Sequence, residues 1–229
     1  MECWICREKG NTGEHLIKAS DLRSYFGDIS QKMPLYFHTS EKKNIPIGSL
    51  KSKRLKSDAL ICNKCNSART QQYDKAWKSL SIYLRSNWPQ VHKSRKVKLA
   101  DVFPGSIRES MLYVHLYFVK LFGCRIVESG APIEIVTFSE ALLNQKSHKD
   151  IYIAFGQRPG KVEHKYAGII PIQSIDINGT SVFATWLYMI DQLAVNIIFA
   201  PKYKHPNVLK DTWHPRKPKK VIAIKAFRT

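Results

Sequence analysis

ALICNKCNSARTQQYDKAWKSLSIYL, residues Ala59 to Leu84, is the stretch on which the fold turns. Three apolar residues, Ala59-Leu60-Ile61, lead into Cys62-Asn63-Lys64-Cys65-Asn66, and a helix begins close behind. In that helix Tyr73, Ala76, Trp77, Leu80 and Leu84 recur at spacings of three and four, the period at which one helical face is buried. Asn87-Trp88-Pro89 predicts its end.

Working outward, the second C-x-x-C pair has a counterpart at the start of the chain, Cys3-Trp4-Ile5-Cys6, with 55 residues between Cys6 and Cys62. Each such pair bends the backbone so that two thiolates can take adjacent corners of a tetrahedron, and two pairs complete a four-sulfur site. Zinc suits it. Four thiolates leave no open coordination position, so the spacing predicts a structural site in Cys3, Cys6, Cys62 and Cys65 rather than a catalytic one. The fifth cysteine, Cys124, follows a helical stretch and a glycine and reads as a buried structural thiol.

Gly10 and Gly13 punctuate a turn after the first pair, and Glu14-His15-Leu16-Ile17 reads as a short strand. If the metal pulls the two pairs together, His15 and Asn66 come to lie on neighbouring elements, a strand and the start of a helix. Asn66 also has the ordinary reading of a helix N-cap, and His15 that of a satisfied or exposed histidine.

Residues 18–57 are weakly patterned. They hold a candidate helix near Ser20 to Phe26, an apolar Met33 to Phe37, and a basic stretch with Lys51, Lys53, Arg54 and Lys56. They read as an insertion with little visible structure of its own. Residues 90–96, basic and pattern-poor, are expected to be a linker. Beyond it, Ser106-x-x-Glu109 has the form of a capping box and Ile107 to Phe122 continue as a helix to Gly123. The remainder is strand-like: Ile133–Phe138, Ile151–Phe155, Tyr166–Ile172, Val182–Met189, Val195–Phe199 and Val221–Ala226, with a shorter helix near Phe138 to Gln145. The expected class is α+β, with an N-terminal zinc-stapled module over residues 1–89 and a mixed domain of helix and mainly antiparallel sheet over 97–229.

Charge narrows the partners. The chain carries 37 Lys and Arg against 18 Asp and Glu, a formal +19, and both halves share the excess. Such a surface concentrates polyanions, nucleic acid above all. Lys202, Lys204, Lys210, Arg216, Lys217, Lys219 and Lys220 cluster with Tyr203, Trp213 and His214, a pattern in which cations neutralise phosphates while rings stack on bases. A solvated loop is the plainer reading of the same residues. The residues show no apolar run of about twenty that would span a bilayer. Nor does the start look like a secretory signal, so a cytoplasmic protein without a membrane partner is expected.

Cys3-x-x-Cys6, Gly13-Glu14-His15-Leu16-Ile17 and Cys62-x-x-Cys65-Asn66 together resemble the HNH endonuclease family in its zinc-bound form, whose core is the ββα-metal fold. The motif order is most similar to that of the phage resolvases of the endonuclease VII type. The resemblance covers residues 1 to about 87. It implies a metal-dependent endonuclease that hydrolyses DNA phosphodiester bonds. In that scheme His15 is the general base, and Glu14 and Asn66 are ligands of a catalytic Mg²⁺ or Mn²⁺ distinct from the structural Zn²⁺. Hard oxygen donors suit such an ion and thiolates do not. Where the family carries an Asn that orients the imidazole, this chain has Ser57 and Asp58, either of which can accept a hydrogen bond. Lys64, Arg69, Lys217, Lys219 and Lys220 are the candidate nucleic-acid contacts. Restriction or anti-phage defence, and with it a homo-oligomeric or defence-complex partner, follows by family analogy alone. The alternative is a zinc-knuckle nucleic-acid-binding protein without catalysis.

Overall fold

In the computed structural model, which describes residues 1–158, 164–201 and 206–227, the first knuckle leads into strand β1 (Thr12–His15). Next come helix α1 (Ala19–Phe26), the small hairpin of β2 (Leu35–Phe37) and β3 (Ile45–Ile47), and β4 (Lys56–Ile61). β4 returns antiparallel to β1, pairing Thr12 with Ile61, Gly13 with Leu60 and His15 with Lys56 across a bulge. The stretch between His15 and Lys56 is therefore an excursion out of one two-stranded unit, and it has more structure than its pattern announces. A one-turn helix α2 (Asn63–Asn66) carries the second knuckle, and α3 (Gln71–Ser86) follows. The five apolar residues spaced along α3 are all buried, as their periodicity requires.

The expected linker at 90–96 is instead folded: α4 (Trp88–Ser94) and β5 (Lys96–Lys98) occupy it, with Trp88 and Val91 buried. Pro89 sits in the first turn of α4, where a missing N–H costs nothing. Seven residues with two apolar ones are too few to show a period, which is why the sequence reads as pattern-poor.

α5 (Ile107–Ser129) is the central element. It is apolar on nearly every side, as a helix between two layers must be, and it is long and apolar enough by length and composition to cross a membrane, although most of it is buried here. One side meets α3, where Trp77 stacks on Tyr117 with centroids 5.6 Å apart. The other meets the large sheet, where Phe122 stacks on Trp186. Gly123 does not end the helix. A Cβ there would come within 2.4 Å of the Trp4 ring, so glycine is what allows the first knuckle to lie against α5. The helix runs on to Gly130, which takes φ +66 and closes it in the left-handed region. The expected capping box does not form either: Ser106 Oγ meets Ser110 Oγ, and Glu109 accepts from Tyr113.

Residues 133–138, expected as a strand, turn into α6 (Val136–Leu143). A short apolar run is ambiguous between the two states, and packing of Phe138 on Phe122 of α5 decides it. The chain continues with β6 (Ile151–Gln157), β7 (Ala167–Ile169), β8 (Gln173–Ile177), β9 (Thr180–Ile190), β10 (Leu193–Phe199), the short α7 (Pro206–Leu209) and β11 (Val221–Ala226). The sheet order is β5-β11-β6-β10-β9-β7, with β8 also on β9. All pairs are antiparallel except β11 with β6. The class is α+β, and one hydrophobic core runs from Cys3 to Ile224 without a break at residue 90.

A polar node ties the insertion to this core. Asp21 of α1, 1% exposed, accepts hydrogen bonds from Trp77 Nε1 (3.0 Å) and the Tyr188 hydroxyl (3.2 Å) and pairs with Arg85 at 3.3 Å. Burial raises its carboxyl above the usual range against the pull of Arg85.

Candidate metal centre and the residues around it

The fold closes the 55-residue gap. The sulfurs of Cys3, Cys6, Cys62 and Cys65 all lie within 4.8 Å of one another, and Cys6 Sγ is 3.5 Å from Cys62 Sγ. In a tetrahedron with Zn–S bonds of ~2.3 Å, sulfurs stand roughly 3.8 Å apart. The four-cysteine cluster therefore has both the donor set and the spacing to hold a zinc ion. Burial, then hydrogen bonding from Cys6 and Cys62, pushes the Cys65 thiol far above its ordinary range, and only a cation beside it reverses that trend. One cation is already present. Arg69 Nη1 donates to Cys65 Sγ at 3.0 Å, so this residue, expected at a nucleic-acid surface, is turned onto the sulfurs. Arg69 lies in the turn between α2 and α3, four residues after Cys65, and that short separation was the available signal.

Around this centre the strand β1 sorts its side chains by the alternation of a strand. Glu14 points inward, 8% exposed, and its Oε2 lies 2.8 Å from Nζ of the fully buried Lys120 on α5. Lys120 also donates to Thr70 Oγ1 and stands 3.5 Å from Asp74, which Lys18 pairs at 2.8 Å. Burial works against the Lys120 charge, and Glu14 and Asp74 together outweigh it, holding the ammonium above the usual lysine range. Lys120 was missed by sequence reasoning because a lone lysine in an apolar helix gives no indication of which acids it will meet.

His15, the next residue, is half-buried, and its Nε2 bonds the carbonyl oxygen of Leu50 at 2.9 Å. A carbonyl only accepts, so Nε2 carries the hydrogen, and in the neutral ring Nδ1 is the nitrogen with the lone pair. Ser57 and Asp58, expected to orient this ring, do something else: Ser57 Oγ and the Asp58 backbone N–H both bond the Glu128 carboxylate of α5, which also pairs with Arg125. β4 is turned so that Ser57 faces α5 and is 3% exposed. The orienting group is a backbone carbonyl of the insertion.

Asn66 closes α2 instead of heading the long helix. The cap of α2 is Cys62, whose sulfur accepts from Cys65 N, and the residue before α3 is Thr70. Asn66 Nδ2 donates to Thr12 Oγ1 on β1 at 3.0 Å, which fastens α2 to the strand that carries His15 and leaves Oδ1 without a protein partner among the described residues.

Of the other expected contacts, Lys64 is exposed on α2, and Lys217 and Lys220 are exposed near the C-terminus. Lys219 is exposed too, but its Nζ turns back to the Thr212 carbonyl at 3.2 Å. Of the interleaved rings, Trp213 and His214 offer no stacking face: both are buried, and Trp213 exchanges both backbone hydrogen bonds with Ile153. Lys202, Tyr203 and Lys204 lie outside the described residues. Cys124 is a buried thiol, raised to about 12 by burial, as expected.

Comparison with known proteins finds no family model, no curated protein and no solved structure that matches the chain.

Proposed function

We propose that the protein is a metal-dependent endonuclease of the HNH type, acting on the phosphodiester backbone of DNA. The observation that carries the reading is the His15 to Leu50 bond: a half-buried imidazole held by one nitrogen, with the other free, on a strand flanked by the two knuckles. That is the preparation a general base needs. It fixes the ring and leaves Nδ1 to take the proton of an attacking water.

Glu14 and Asn66 are the residues that would hold a divalent ion, through the oxygens their protein contacts leave over, Oε1 and Oδ1. Both are hard donors of the kind Mg²⁺ or Mn²⁺ takes. When bound, such an ion supplies Lewis acidity, neutralising charge on the phosphate and the departing oxygen. Lys120 holds the Glu14 carboxylate through Oε2, and Asn66 is held by Thr12. The sulfur cluster has no part in the chemistry and sets the distance between β1 and α2. The +19 charge, with Lys64, Lys217 and Lys220 exposed, draws the polyanion to the surface.

The Glu14 to Lys120 pair favours a second reading, a zinc-knuckle nucleic-acid-binding protein without cleavage, because a carboxylate already matched to an ammonium binds a divalent ion more weakly. One assay separates the two. Purified protein is incubated with supercoiled plasmid and a four-way junction in Mg²⁺ or Mn²⁺. Cleavage that His15→Ala abolishes supports the nuclease; retention of the DNA intact with both ions leaves the binding protein.

A further inference from the structure

A cleft of about 270 Å³ opens between α6, the loop that follows it and the segment after Trp213. Its walls carry Lys146, Lys149 and Arg216 against a single carboxylate, Glu140, with Ser147 and His148 between them. We propose that this cleft binds a phosphate group, presented by a nucleotide or by a nucleic-acid strand.

The first argument is electrostatic. Lys146, Lys149 and Arg216 are exposed, and none of them takes part in an ion pair among the described residues. Three like charges converging on one concave space repel one another, and an anion in that space removes the cost. Arg216 supplies a planar fork suited to two phosphate oxygens, and the lysines supply point charges.

The second argument is that the walls are built rather than incidental. His148 Nδ1 accepts the Asp150 N–H at 3.2 Å, and His214 Nδ1 accepts the Arg216 N–H at 3.0 Å. His214 Nε2 then donates to the His148 carbonyl at 3.0 Å, joining one wall to the other, and His148 N–H donates to Nε2 of the fully buried His115 at 3.1 Å. Each imidazole spends a lone pair on a backbone N–H, so each is neutral and works as a strut. The cations are the neighbours of those struts in the chain, Lys149 beside His148 and Arg216 two residues after His214. Lys149, Arg216 and His148 line the same cleft, and burial, then the charge of Lys149, lowers His148 to about 4, with Arg216 acting in the same direction. The volume is slightly under that of pockets for drug-sized ligands and suits one phosphate with its sugar.

The test uses the full chain without divalent ion, so that it is independent of whether His15 is a base. Calorimetry compares a 5′-mononucleotide, its nucleoside and an unphosphorylated single-stranded oligonucleotide. The expected result is that the mononucleotide or the oligonucleotide binds at least about tenfold more tightly than the nucleoside. The double variant Lys149→Ala/Arg216→Ala, both exposed positions, should remove that advantage while circular dichroism stays that of the parent. Loss confined to the mononucleotide identifies a terminal phosphate as the ligand, and loss with the oligonucleotide identifies a backbone phosphate. Binding of neither probe, equal affinity for nucleoside and mononucleotide, or a double variant that binds like the parent overturns the assignment.

Discussion

Nζ of Lys120 lies 2.8 Å from Oε2 of Glu14, so a side chain from the centre of the 23-residue helix α5 ends on the carboxylate beside His15. The N-terminal strand and the long helix are joined by a buried charge pair.

Removing that ammonium should be costly. Lys120→Met leaves the buried Glu14 without its counter-charge, whereas Asp74 keeps Lys18, and loss of one partner of a buried pair costs about 3–5 kcal/mol. Urea unfolding should show that loss, and Lys120→Met/Glu14→Gln should recover part of it, because the uncompensated carboxylate is gone. A Lys120→Met protein as stable as the parent would remove the pair from the account of what holds the two halves together.

The sulfur cluster should retain one zinc per chain, and its retention should depend on Arg69. Arg69→Ala deletes the N–H···S contact to Cys65, and partners of this kind are worth about 10- to 100-fold in metal affinity. Release to a chromogenic chelator measures it. A protein that purifies without zinc under reducing conditions contradicts the four-thiolate site itself.

His15→Ala should lower the rate of cleavage on the order of a hundred- to ten-thousand-fold and leave DNA affinity close to that of the parent, since a general base acts on the proton and not on binding. Asn66→Ala should instead raise the concentration of divalent ion required. Single-turnover cleavage and filter binding on the same preparations separate the effects. Full activity in His15→Ala would move the chemistry elsewhere in the chain.

Acid should loosen the C-terminal part first. Burial is the largest cause holding His115 well below its usual range, His148 at about 4 and His214 below its usual value. An unfolded histidine titrates near 6.5. The unfolded chain therefore takes up protons that the folded chain refuses, and the stability is complete above pH 6.5 and lost as pH falls toward 4. For His148 alone the loss is about 3 kcal/mol. Urea midpoints at pH 7 and pH 5 should show it, and His148→Gln should flatten the difference. Equal midpoints in the parent would mean that the three rings are not held neutral.

What the sequence by itself determined were the features that repeat or pair along the chain. The two C-x-x-C pairs identified the four sulfurs, the three-four spacing from Tyr73 to Leu84 identified α3, and Val221 to Ala226 identified the last strand to the residue. These are signals of local geometry, and local geometry depends on near neighbours. The tertiary structure alone decided where lone polar residues spend their hydrogen bonds. Leu50 and not Ser57 holds His15, Arg69 faces sulfur and not solvent, and Lys120 meets Glu14 across 106 positions of chain. Gly123 could be read as a helix end until Trp4 was seen against it. In each case the partner lies on another element and no periodicity connects the two. The free energy of burying a charge or a ring is settled only when the core that buries it has closed.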